Sequence, residues 1–205
     1  MLAIIHFALP NAHAIMTSAL KLNVGCGRNI MSGWLNLDSY PLPGVDIVAD
    51  LNNCAASPLP LVDASVHEFL LSHVLEHIPN VLPMMQELHR VAADNAVMVI
   101  RVPYGSSDDA FEDPTHVRQI FEGSFGYFSQ PYYWRADYGY RGDWITDSIQ
   151  LRIAEKYRNR SPAEIFECVS SHRNVVTEMI ANLRAVKPIR RPLRELQARP
   201  HISLI

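Results

Sequence analysis

Apolar and polar positions along the chain fall into short runs, each closed by a turn residue or a carboxylate. Leu20 to Val24 (Leu-Lys-Leu-Asn-Val) reads as a strand that stops at Gly25-Cys26-Gly27. Trp34 to Leu37 reads as a second strand ending in Asp38, and Val45 to Val48 as a third ending at Asp50, before Pro58 and Pro60 break any regular element. Glu68 to Leu71 forms a fourth apolar run, followed by Ser72-His73. After Pro79 and Asn80, the positions Leu82, Met85, Leu88 and Val91 recur at helical spacing. Ala96 to Val102 is nearly continuous β-branched and apolar sequence, as in a strand buried on both faces of a parallel sheet, and Pro103 ends it. Strand-then-helix alternation predicts a parallel α/β sheet, on which ligands sit outside the carboxyl ends of the strands. The glycine turn, Asp38, Asp50, Ser72-His73 and Pro103-Tyr104 all fall on that edge.

Beyond Tyr104 the texture changes to a polar stretch containing Asp113-Pro114-Thr115-His116, then to an aromatic segment from Phe121 to Trp144. Such aromatics are core or an acceptor pocket. Ile145–Ile153 and Val175–Val186 read as extended, with a short helix from about Pro162 between them, and so predict an antiparallel hairpin closing one edge of the sheet. Residues 187–205 form a basic tail in which Glu195 is the one acid, the pattern of a solvated end.

A length of 205 residues suits one domain, taken here as residues 16–205, and 48% hydrophobic against 19% charged residues supplies a packed core. A net charge of -3 argues against a duplex-DNA binder. Three widely spaced cysteines form neither a C-x-x-C pair nor a disulfide framework, which predicts reduced thiols and a cytoplasmic protein. No apolar run reaches bilayer length. Residues 1–15 are an apolar extension in which Ala12-His13-Ala14 imitates a signal-peptidase site, although a positively charged start is missing. Met16 offers an alternative start, and nothing in the pattern fixes an oligomeric state.

The glycine turn narrows the ligand. A dinucleotide fingerprint wants a third glycine where Ile30 stands, and an acid roughly 20 residues on, whereas Asp38 follows Gly27 by eleven. A Walker lysine is absent. The runs Leu22-Asn23-Val24-Gly25-Cys26-Gly27, Gly33-Trp34-Leu35-Asn36-Leu37-Asp38, Val45-Asp46-Ile47-Val48-Ala49-Asp50-Leu51 and Ser72-His73-Val74-Leu75-Glu76-His77 resemble class I S-adenosylmethionine-dependent methyltransferases of the small, type 11-like kind. The likeness continues through Glu87-Leu88-His89-Arg90-Val91 and Ile100-Arg101-Val102-Pro103, covering about residues 20–120. It implies a three-layer αβα sandwich on a mostly parallel, seven-stranded sheet with an antiparallel edge strand. It further implies that Gly25, Cys26 and Gly27, with Asn23, border the methionine part of S-adenosylmethionine. Asp38 and Ser39 meet the ribose, Asp50 and Leu51 flank the adenine, and Ser72 and His73 line the floor near the sulfonium. A carboxylate suits a vicinal diol, and acidic lining suits a doubly cationic ligand. The plainer role of Asp38 and Asp50 is to cap turns. Two departures stand out: Ala93-Asp94-Asn95-Ala96 replaces the family's glycine-containing turn, and His67 stands where relatives carry Asp.

His73-Val74-Leu75-Glu76-His77 also spells H-x-x-E-H, the zinc motif of inverted metallopeptidases, but Pro79 cuts short the long helix that such a site needs. No metal is expected on this reading. The amino-methyltransferase loop of nucleic-acid enzymes is absent, and no cysteine follows a proline, so the acceptor is read as a small molecule or a glycan or lipid precursor rather than nucleic acid. Methyl transfer is an in-line displacement that needs alignment and water exclusion. For a hydroxyl acceptor, His116 oriented by Asp113 is the expected base, with His77 and Tyr104 second. A catalytically silent cofactor- or partner-binding module of the same fold is the alternative.

Overall fold

A computed structural model describes residues 19–205, so the expectations for residues 1–15 lie outside the described residues. Eight strands form one sheet: β1 (Leu20–Val24), β2 (Leu35–Asp38), β3 (Ile47–Val48), β4 (Val66–Ser72), β5 (Ala92–Pro103), β6 (Trp144–Ile153), β7 (Val176–Ala185) and β8 (His201–Leu204). Their spatial order is β3-β2-β1-β4-β5-β7-β6-β8. Strands β1 to β5 are mutually parallel, and β7 runs antiparallel between β5 and β6. The helices are α1 (Val81–Val91), α2 (Asp109–Glu112) and α3 (Pro162–Ser171).

One face of the sheet carries the core. Leu22, Phe69, Met98 and Leu183 are register partners across β1, β4, β5 and β7, and all are buried. Met84, Met85, Leu88 and Val91 of α1 are buried in the same cluster, and Trp144 donates its indole N–H to the Met85 carbonyl at 3.1 Å. The opposite face carries Glu68, Leu70, Val97, Val99 and Arg101, with Val97 47% exposed. The connections after β1, β2 and β3 hold no α-helix, so the second helical layer of the expected sandwich is thin there. Side chains do a helix's work in the first of them. The Asn36 carboxamide accepts from Met31 N at 2.8 Å and donates to the Met31 and Trp34 carbonyls, while buried Asn23 donates to the Asn29 carbonyl. Backbone groups that a helix would pair internally are thereby satisfied.

The turn expected at Ala93–Ala96 is instead a bulge at the start of β5. The pairing jumps from Val66↔Ala92 to Glu68↔Val97, with Asn95 at φ +60°, a conformation that Asn tolerates better than most residues.

The tail departs from the solvated end expected of it. It adds an eighth strand, β8, parallel to β6, where seven strands were expected. Before that strand, Arg190 is clamped on fully buried Asp143, donating through Nε and Nη2 at 2.8 Å each and through its backbone N–H at 3.0 Å. A buried carboxylate requires a paired, hydrogen-bonded cation, and this basic tail supplies it.

Candidate active site

Two corners meet on the carboxyl edge of the sheet. The first is the turn after β1. Gly25 and Gly27 lie at φ +62° and +52°, where a side chain is strained, and a Cβ on Gly25 would stand 2.6 Å from Val74 Cγ2. Only glycine lets the chain turn this close to the segment leaving β4. Cys26 N–H bonds the Leu37 carbonyl at 2.9 Å, and Gly27 N–H bonds Asp38 Oδ2 at 2.7 Å, so the end of β2 is tied to the turn. Asp38 Oδ1 accepts from Tyr40 N–H at 3.0 Å, with the Ser39 hydroxyl 3.5 Å away. Each carboxylate oxygen keeps a further acceptor site.

The neighbouring residues divide. Asn23 is buried, with its amide donating to the Asn29 carbonyl and to the Asn36 side chain. Burial pushes the Cys26 thiol up, with the Asp38 carboxylate adding to the effect, which keeps it neutral and unreactive. Asp50 is exposed and caps the single helical turn Leu51–Asn53 by accepting from Asn52 N–H at 2.9 Å, the plainer of its two roles. Leu51 is buried.

The second corner follows β4. Ser72 is half-buried, and His73 lies at φ +56° with its N–H bonded to the Arg101 carbonyl. Non-glycine residues at such angles mark places where the fold imposes strain, often at functional sites. The His73 ring is exposed, standing 3.4 Å from Glu76 Oε1 on one side and 3.4 Å from Glu178 Oε1 on the other. The Glu76 carboxylate raises its pKa above the usual imidazole value, against a lowering by burial. Glu178 in turn holds Arg101 at 2.9 Å and Arg152 at 3.1 Å. Leu75–His77 forms one helical turn, so His73 and His77 do not share the helix face of an inverted metallopeptidase.

The Asp113–His116 segment packs onto this corner, with Val117 N–H bonded to the Glu76 carbonyl at 2.9 Å. His116 is expected to face an acceptor. Instead its side chain is 6% exposed, its ring centroid lies 4.7 Å from that of His77, and its Nδ1 has no hydrogen-bond partner among the described residues. The expected Asp113 partnership is a long one, 3.9 Å from His116 Nε2. Asp113 instead accepts from the Thr115 hydroxyl at 2.6 Å and from Thr115 N–H at 2.8 Å, bonds that hold its carboxyl below the ordinary carboxylate range. The Thr115 hydroxyl also touches His77 Nδ1 at 2.9 Å.

Sequence reasoning missed Glu76 as a site residue. It is 2% exposed, and neither carboxylate oxygen accepts a hydrogen bond among the described residues. The H-x-x-E-H spelling did contain it, but joined it to His73 rather than to His116, which is distant in sequence.

The aromatic segment divides between core and the lining of a cavity. Phe125 and Phe128 are core, whereas Phe121, Tyr127 and Tyr132 join Leu75, Leu82 and Ile120 around a cavity of about 640 Å³.

No family model matches the chain, and no curated protein sequence matches it. Solved structures do. A SAM-dependent methyltransferase from Archaeoglobus fulgidus superposes with a TM-score of 0.55 at 15% identity, over 82% of this chain and 86% of that one. A putative sarcosine dimethylglycine methyltransferase from Galdieria sulphuraria gives 0.52 at 14% identity, over 82% and 78%. The [4+2]-cyclase SpnF gives 0.53 at 11% identity, over 82% and 74%. At such identities the likeness concerns architecture, and a cyclase among the matches shows that this architecture hosts more than one chemistry. The strand order, the single antiparallel strand between β5 and β6 and these superpositions agree: the chain has the class I S-adenosylmethionine-dependent methyltransferase fold.

Proposed function

We propose that the chain binds S-adenosylmethionine on the β1–β2 corner and transfers its methyl group to oxygen or nitrogen of a small-molecule, glycan-like or lipid-precursor acceptor. The observation that carries this reading is the joined turn: Gly25 pressed on Val74, and Gly27 N–H fixed to an Asp38 carboxylate that keeps acceptor capacity on both oxygens. Those features fit the ligand. The space denied to a Cβ at Gly25 admits a close-lying chain, and Asp38 offers acceptors to a ribose diol. Gly25 to Gly27, Asp38, Ser39, Ser72 and His73 are the residues proposed to hold it. When bound, S-adenosylmethionine supplies an electrophilic methyl on a sulfonium.

The chain's own contribution is alignment and exclusion of water. A hydroxyl acceptor of ordinary pKa needs a base, and the 6% exposure of His116 makes it a poor one. A free amine or an acidic hydroxyl needs no such group, so these acceptors suit the edge best. The same burial of His116 favours the second reading, a silent binding module. Calorimetric titration with S-adenosylhomocysteine tests the first step. Micromolar, one-to-one binding with a rise in melting temperature is expected, whereas no heat with it or with S-adenosylmethionine, alongside clear binding of NAD, overturns the assignment. Binding without methylation of any amine or phenol in an acceptor panel selects the silent module.

A further inference from the structure

Glu76, His77 and His116 each bring one donor atom into a group in which these atoms all lie within 4.8 Å of one another. Three features set this apart from a chance cluster. The Glu76 carboxylate is buried and neither oxygen has a hydrogen bond among the described residues, its one neighbouring cation being the exposed His73 ring at 3.4 Å, although a buried charge is ordinarily paired and hydrogen-bonded or metal-bound. His116 is packed away with Nδ1 equally unbonded. The third feature is the proton arrangement at His77. The Thr115 hydroxyl has one hydrogen, and its 2.6 Å bond to Asp113 Oδ1 uses it. Towards His77 the same oxygen can therefore only accept, so the 2.9 Å contact places the proton on Nδ1 and leaves Nε2 as the lone-pair nitrogen.

We propose that Glu76, His77 and His116 form a binding site for a divalent first-row transition metal of the zinc class. His77 offers Nε2, His116 offers Nδ1, and Glu76 offers a carboxylate oxygen. Two imidazoles and one carboxylate suit zinc and its neighbours better than magnesium or calcium, which favour all-oxygen shells. Ligands bonded at about 2.0–2.2 Å stand roughly 3.3 Å apart in a tetrahedral site, so the group has about an ångström or so to contract. Asp113 orients the His77 ring through Thr115, the carboxylate support that metal-ligating imidazoles commonly have, and stands 3.9 Å from His116 Nε2, within reach of a hydrogen bond should the group contract. The competing cation is His73, 3.4 Å from Glu76 Oε1, which leaves Oε2 without a partner among the described residues. Three protein ligands leave at least one coordination position open, on the edge of the sheet where ligands bind. The site stands independently of methyl transfer.

The test uses the untagged full chain, stripped with chelator and titrated with Zn²⁺ and, separately, with Co²⁺. One equivalent of tight binding is expected, with a chelator-reversible rise in melting temperature and the visible absorption of a low-coordinate Co²⁺ site. Glu76→Gln and His116→Ala, each first shown to melt cooperatively without metal, are expected to weaken binding by at least about 100-fold, and Asp113→Asn by about 10–100-fold. His77→Ala provides a further check should either of the first two fail to fold. Absence of a stoichiometric event, or binding that survives Glu76→Gln and His77→Ala unchanged, overturns the proposal.

Discussion

The two corners of the carboxyl edge are built from the same kinds of residue and are finished differently. At the β1–β2 corner the strained and polar groups are matched: glycines take the left-handed angles, and Asp38 accepts a backbone N–H from the turn after β1 and another from the loop that follows it, with acceptor capacity to spare. At the β4 corner a buried carboxylate and a buried imidazole nitrogen have no hydrogen-bond partner among the described residues, although His73 stands 3.4 Å from that carboxylate, and a histidine rather than a glycine is forced to positive φ. The first is a scaffold whose strain and backbone groups the chain settles by itself. The second leaves buried polar atoms without hydrogen bonds among the described residues, which is the reverse of what folding stability by itself favours.

The contrast is broken or sharpened by substitution. Gly25→Ala combines left-handed strain with a collision on Val74, and should cost about 2–4 kcal/mol in chemical denaturation. A cost under half a kilocalorie would mean that the turn relaxes freely and is no scaffold. Asp38→Ala strips two backbone donors of their acceptor and should weaken S-adenosylhomocysteine binding by about 1.5–3 kcal/mol, read by titration calorimetry. Glu76→Gln should act in the opposite sense. In metal-free protein above the raised native pKa of His73, where that ring no longer offsets it, removing a buried carboxylate with no hydrogen-bond donor among the described residues should leave stability unchanged or raise it by up to about 1 kcal/mol. A clear loss of stability would put the two corners on one footing.

The smallest effect concerns His73. Its pKa is raised in the folded protein by the Glu76 carboxylate, so the stabilisation is fully present below the ordinary value of 6.5 and is lost as pH rises through the raised native value. With the ring nearly half exposed, a few tenths of a kcal/mol is the expected size. Comparing stability against pH for the native chain and for His73→Asn, a residue that tolerates positive φ, isolates it. An unchanged slope would remove His73 from the β4 corner.

Much of the fold was legible because it is local. β1 begins and ends where the Leu20–Val24 pattern says, α3 starts at Pro162 behind its Ser161 cap, and β6 and β7 each lie within a residue of the runs read from β-branched sequence. What escaped depends on side chains reaching across sequence. Asn23 and Asn36 replace a helix after β1, a substitution that no periodicity reports. The bulge at Asn95 hides inside a strand. Arg190 reads as one more solvated cation until Asp143, far earlier in the chain, is found buried beneath it. At the candidate site, the glycine angles followed from residue type, whereas the approach of His116 to Glu76 and His77 came from a loop fold that spacing does not encode.

The tail strand has a consequence for how the chain is made. On the ribosome, β6 emerges long before β8, and until residues 201–204 leave the exit tunnel its outer edge presents unpaired N–H and carbonyl groups, a template for pairing with a neighbouring nascent chain. In the finished fold β8 covers that edge from Ser148 to Leu151, leaving those positions unable to pair with another copy of the chain.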